Sequence, residues 1–95
     1  MKNTTKLFKA VSDFNRLRIL KALQSKILCV CEIKELLQLA NSTVSQHLKV
    51  LKKNDIVDGV KKGYFMHYSV NTSKIESAIK ILLDVIPQNK TKLEN

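Results

Sequence analysis

Tryptophan is absent from this 95-residue chain, and it has only two glycines, one proline and two cysteines. So few glycines and prolines disfavour a sheet-rich fold with many tight turns, and predict mostly helix. The two cysteines stand one residue apart in "LCVCEI", Leu28 to Ile33, a spacing poorly suited to a structural disulfide. They are instead buried free thiols, metal ligands or redox groups. No apolar run reaches the eighteen or so residues a membrane span needs. The opening Met1-Lys-Asn-Thr-Thr is polar and has no signal-peptide pattern, so a cytoplasmic location with reduced thiols is expected. Acidic residues are also scarce, eight against seventeen Lys and Arg, for a net charge of +9 and a pI near 9.8. That surplus points to polyanionic partners, nucleic acid first and anionic membrane second; the plain alternative is a basic surface that keeps the protein soluble.

Hydrophobic content of 44% with 26% charged residues is that of an ordinary globular protein. The length fits one domain, residues 1–95, with a modest core that a second copy of the chain would help to complete. Leu7, Phe8 and Val11 fall on one side of a short first helix over residues 5–12. Asp13 can cap a second helix, "DFNRLRILKALQS", with Leu17, Ile19, Leu20 and Leu23 as its apolar stripe. After "ILCVC", "EIKELLQLA" places Ile33, Leu36 and Leu37 at helical spacing. In "NSTVSQHLKVLKKN", Val44, Leu48 and Leu51 do the same, with Asn41 or Ser42 as cap and Asn54 as stop.

The period then changes. Ile56–Val60 and Tyr64–Val70 read as two strands joined by a basic tip, Lys61-Lys62-Gly63. A last helix starts near Thr72 or Ser73, where Ser73-Lys-Ile-Glu76 has capping-box spacing, and stops before Pro87. It carries apolar residues on more than one side, so part of it is expected in the core and part in a dimer interface. A polar tail, "QNKTKLEN", follows. The predicted fold is mainly α with a small β-hairpin: a dimeric winged helix-turn-helix in the order α-α-α-α-β-β-α. The helix-turn-helix spans about 31–54, the wing about 55–70 and the dimerisation helix about 73–86. Leu7, Ile75, Ile79, Leu82, Leu83 and Ile86 are expected at the dimer interface.

With these motifs in this order, the chain resembles the ArsR/SmtB family of metal-sensing winged-helix repressors. The resemblance runs from about Leu7 to Val85. "FNRLRIL" is similar to the family's second-helix motif, "STVSQHLKVLKK" to its recognition helix and "DIVDGVKKGYFMHYSV" to its wing. "LCVCEI" resembles the thiolate box of the arsenic- and cadmium-responsive members. The resemblance implies a homodimer that occupies operator DNA and leaves it when an inducer binds. It implies Cys29 and Cys31 as ligands of a thiophilic ion, with As(III) or Sb(III) favoured and Cd(II) or Pb(II) as alternatives. Two positions depart from the family pattern. Lys34 stands where the full arsenic box has a third cysteine, and the last helix has no histidine for the family's zinc-type site. A third ligand would be an exogenous thiol, hydroxide or a partner-chain residue.

On the recognition helix, the face opposite the apolar stripe offers Ser42, Thr43, Ser45, Gln46 and Lys49. Ser and Thr suit phosphate, and Gln46 suits bidentate readout of adenine. His47 is a half-buried packing residue or a phosphate contact. Lys61, Lys62 and Tyr64 would set the wing on the DNA backbone or minor groove. The first 26 residues carry more net positive charge than residues 41–68, which makes Arg16 and Arg18 further phosphate candidates. His67 is a lone histidine, structural or exposed.

Residues i and i+2 of a regular helix point about 200° apart, so Cys29 and Cys31 can grip one ion only where the helix start is irregular or unwinds. The alternatives are a redox-sensing pair in the same fold, a metal-insensitive regulator, or two small apolar packing residues. A thiol enzyme would need a general base or an anion-cradling loop beside the cysteines, and none is there. A non-specific nucleoid or RNA-binding protein would call for a more uniformly basic surface and stacking aromatics.

Overall fold

The helix ends among the described residues have local causes, and those ends determine how the third and fourth helices are held. The computed structural model describes residues 2–87; the polar tail from Gln88 onward lies outside the described residues. Helix α1 (Lys2–Val11) closes where Ser12 turns back, its hydroxyl donating to the Phe8 carbonyl at 2.6 Å. Asp13 then takes extended backbone (φ −137°, ψ 133°) and caps α2 (Phe14–Leu23), its carboxylate accepting the Arg16 N–H at 3.1 Å. Within α2, Ile19 and Leu23 are buried four residues apart. That spacing defines the inner face, and Leu17, two residues from Ile19, points to the opposite side and is 52% exposed. The expected stripe is therefore corrected at Leu17.

A two-residue strand β1 (Leu28–Cys29), absent from the predicted order, precedes α3 (Val30–Leu37). α3 buries Ile33 and ends in Gln38, which takes the left-handed conformation (φ 57°, ψ 47°). Leu39 and Ala40 lead into α4 (Asn41–Lys53), which buries Val44, Leu48 and Leu51 and ends at Asn54. The Asn54 side chain donates to the Val50 carbonyl at 2.9 Å, satisfying a terminal acceptor.

Strands β2 (Val57–Lys62) and β3 (Phe65–Val70) form the wing, and the sheet runs β1-β3-β2 with both pairings antiparallel. Lys62 pairs with Phe65, so the turn is Gly63-Tyr64, later than the predicted Lys61-Lys62-Gly63 tip, and the two lysines belong to the strand. Gly63 has φ 64°, the value a two-residue hairpin turn requires at its first central position.

Helix α5 (Thr72–Leu83) is capped by Asn71, not by Ser73 as the Ser-x-x-Glu spacing suggested. Asn71 accepts the Lys74 N–H at 3.3 Å. Its own side chain donates to the Asp55 carbonyl at 3.0 Å and its backbone N–H to Ile56 at 2.8 Å. Those anchors fix the helix start to the base of the wing, two residues before Ser73.

Ile19, Ile33, Val44, Leu48, Leu51, Ile56 and Val57 are the largest fully buried side chains. Leu7 also lies in this core, only 4% exposed, because α1 folds back onto the chain's own helices. Its expected place at a dimer interface is corrected accordingly. Ile75 is half-buried against the same core. No helix among the described residues is long and apolar enough to cross a membrane.

Candidate nucleic-acid interface and thiol site

Burying Val44, Leu48 and Leu51 turns the other side of α4 outward. Ser42, Ser45, Gln46 and Lys49 are exposed there, and Thr43 is half-buried. Ala40 occupies the N-cap in extended backbone (φ −67°, ψ 148°) and offers no side-chain acceptor. Neither Asn41 nor Ser42 caps the helix as expected, because both are already inside it. The first amides of α4 therefore lack a side-chain cap, and a helix start of this kind suits an anion such as phosphate.

The wing presents Lys61 and Lys62 exposed on β2, with Tyr64 at the tip 95% exposed. His47 has a different position. It is half-buried, with Nδ1 3.3 Å from an Arg16 guanidinium nitrogen and Nε2 3.9 Å from the Asp13 carboxylate. It faces α2, which fits the packing role given as one of its two alternatives. Arg16 and Arg18 are similarly occupied within the fold. Arg16 Nε donates to the Ala10 carbonyl. Arg18 donates to Leu37 O at 2.9 Å and to Asn15 Oδ1 at 3.0 Å, and its guanidinium carbon lies 5.6 Å from the Phe14 ring centroid. The first arginine ties α1 and α4 to α2, and the second satisfies a C-terminal carbonyl of α3. Asp13, held between Arg16 and His47, has its carboxyl lowered from the ordinary value, chiefly by the Arg16 backbone N–H it accepts and then by the Arg16 and His47 charges.

The two thiols differ in setting. Cys29 is the N-cap of α3, with φ −89° and ψ 169°, and is half-buried. Cys31 is the second residue of the helix and is exposed. The pair is thus divided between an extended residue and a helical one, so the opposition of i and i+2 on a regular helix does not constrain it. Glu32 reaches back to accept the Cys29 N–H at 3.0 Å, the return bond of a capping box. That bond, the Cys29 thiol and the positive charges of His67 and Lys26 lower its carboxyl from the ordinary value. β1 pairs Cys29 directly with His67 on β3. Ligand atoms of Cys29, Glu32 and His67 lie within 4.8 Å of one another, a group that does not include Cys31. Sequence reasoning missed both Glu32 and His67 here. The Cys-x-x-Glu spacing was a visible signal for Glu32, whereas His67 is brought in by the strand register alone.

The profile of the bacterial regulatory protein, arsR family, matches residues 13–58. The transcriptional repressor SdpR of Bacillus subtilis (strain 168) is 31% identical over 87 residues, which cover 92% of this chain and 97% of SdpR. The chain belongs to the ArsR family. This ArsR-family chain is also 39% identical over 75 residues to the cadmium resistance transcriptional regulatory protein CadC of Listeria innocua, covering 78% of this chain and 63% of CadC. To the arsenical resistance operon repressor of Staphylococcus aureus it is 33% identical over 81 residues, 85% of this chain and 78% of that repressor. Among solved structures, an ArsR-like transcriptional regulator from Rhodococcus sp. RHA1 matches with a TM-score of 0.82 at 21% identity, covering 88% of this chain and 79% of that one. The fold is the family's winged helix. As a member of the ArsR family, the chain is a DNA-binding transcriptional regulator, with α3 and α4 as its helix-turn-helix and β2 and β3 as its wing.

Proposed function

We propose that the protein is a homodimeric, cytoplasmic repressor that leaves its operator when a thiophilic metal or metalloid binds Cys29 and Cys31, As(III) or Sb(III) being favoured. The observation that carries the reading is the place of the thiols: they occupy the first turn of α3, the helix on which α4 is mounted. Cys31 lies outside the group that surrounds Cys29, so drawing its thiolate onto an ion held by Cys29 would pull on that turn and shift α4 against the groove. Gln46 would read bases, Ser42, Thr43, Ser45 and Lys49 would contact the backbone and nearby base edges, and Lys61, Lys62 and Tyr64 would hold the wing on the duplex. Ile79, Leu82, Leu83 and Ile86, all exposed on and just beyond α5, would pack against a second copy, with Ile75 at the inner edge of that surface. The similarity to an arsenical repressor and to CadC supports an inducer of this class, with Cd(II) as the second choice.

The test is operator binding by fluorescence anisotropy under reducing conditions, titrated with arsenite, antimonite, cadmium and lead. Wild-type protein should dissociate with arsenite, and Cys29→Ser/Cys31→Ser should bind DNA equally well but stay bound. A double variant that dissociates like wild type would refute the thiol switch.

A further inference from the structure

The cysteine box has a second set of neighbours that the Cys29–Cys31 reading does not use. We propose that Cys29, Glu32 and His67 form a binding site for a borderline divalent transition-metal ion of the Zn(II) and Co(II) kind, joining the start of α3 to the wing strand β3. Three different ligand types converge there from three elements, the β1 end, the first turn of α3 and β3: a thiol, a carboxylate and an imidazole within 4.8 Å. A tetrahedral ion with metal–ligand distances of about 2.0–2.3 Å needs its ligand atoms about 3.3–3.8 Å apart. Rotamer adjustments at exposed or half-buried side chains can close that difference without moving the backbone.

The backbone already fixes the two ends. Cys29 and His67 are register partners across β1 and β3, so their side chains leave the same face of the sheet. Glu32 is held toward them by the bond from the Cys29 N–H to its Oε1, which leaves the second carboxylate oxygen for an ion. The His67 Nδ1 lies 3.3 Å from the Phe65 carbonyl, which can hold the ring proton there and leave the Nε2 lone pair for the metal. Thiolate, imidazole and carboxylate together suit Zn(II) or Co(II), whereas a trivalent arsenic centre selects sulfur. Three protein ligands leave a fourth position to water, and binding releases the Cys29 proton.

This site shares Cys29 with the thiol switch but not Cys31, so the two stand or fall separately. Because its ligands come from β1, the first turn of α3 and β3, an occupied site would fix the angle between the DNA-reading pair and the wing.

Co(II) is the probe, added to the reduced protein and followed by its thiolate-to-cobalt charge-transfer and ligand-field absorption. Wild type and Cys31→Ser should bind one ion per chain with the intensity of a tetrahedral thiolate complex, and Zn(II) should displace it. His67→Gln and Glu32→Gln should each weaken binding at least about tenfold, the latter on an exposed helix face that leaves the sheet intact. Retention of wild-type Co(II) affinity by both variants would overturn the site, as would loss of the spectrum in Cys31→Ser. Arsenite release of operator DNA, measured on the same proteins, should persist in His67→Gln and vanish in Cys31→Ser. Failure of the thiol switch is thereby distinguished from failure of this site.

Discussion

At the scale of single residues, Asp13, Arg16 and Arg18 serve as ties between elements. Asp13 caps α2, receives Arg16 and faces His47 of α4, so one carboxylate links the helix before the DNA-reading pair to the recognition helix itself. Its pKa is lowered in the folded state, so folding favours the ionised form. The stabilisation is therefore fully present above the pKa that Asp13 has in the unfolded chain. It is lost as pH falls through the lower, folded value. Asp13→Asn keeps a competent cap but has no charge to titrate. Its urea midpoint should equal or fall slightly below that of wild type at neutral pH, and should decline less steeply on acidification. Parallel acid limbs for the two proteins would show that Asp13 contributes nothing to the pH dependence. Arg16 and Arg18 carry a related lesson. Their charge was legible as phosphate affinity, but a guanidinium has enough donors to staple several carbonyls, and only the fold shows that Ala10 and Leu37 claim them.

At the scale of elements, what could be read from the sequence was what periodicity and local capping determine. The i, i+4, i+7 pattern of Val44, Leu48 and Leu51 located the recognition helix and its buried face, and Asp13 and Asn54 marked helix ends correctly. β1 was invisible because two residues have no period, and it exists only through its pairing with β3. The same pairing brings His67 to Cys29, so a lone histidine in sequence became one member of a cluster. Ser73 lost the cap of α5 to Asn71 because Asn71 is also bonded to Asp55 and Ile56. The two elements proposed to face DNA should differ in what their loss does. Gln46→Ala on α4 should cost about 1–3 kcal/mol at one base pair of the operator and relax discrimination there. Lys61→Ala and Lys62→Ala on β2 should each weaken binding to all duplexes alike. Each should also reduce the slope of log affinity against log salt by about 1. Salt-dependent anisotropy with operator and scrambled duplexes separates the two. Uniform weakening by Gln46→Ala would remove it from base readout.

At the scale of the whole molecule, the distribution of apolar surface points to a second copy of the chain. The core is closed on the inner side of α5 by Ala78, with Ile75 half-buried beside it. On the outer side, Ile79 is 48% exposed, Leu82 51% and Leu83 57%, with Ile86 at 42% just past the helix. A short chain with a small core leaves such a surface in water only at a cost, and a two-fold partner would cover it with its own copy. Dimerisation also matters for the DNA, since two linked reading heads convert the second contact into an intramolecular one worth about 10²–10⁴-fold in affinity. Ile79→Glu/Leu82→Glu places charges on that outer side while leaving the buried residues intact. It should sediment as a monomer at micromolar concentration, keep the helical circular dichroism of wild type, and lose operator affinity by a factor in that range. A variant that remains dimeric would place the interface elsewhere. A monomer with undiminished operator affinity would show that one winged helix suffices to hold the site.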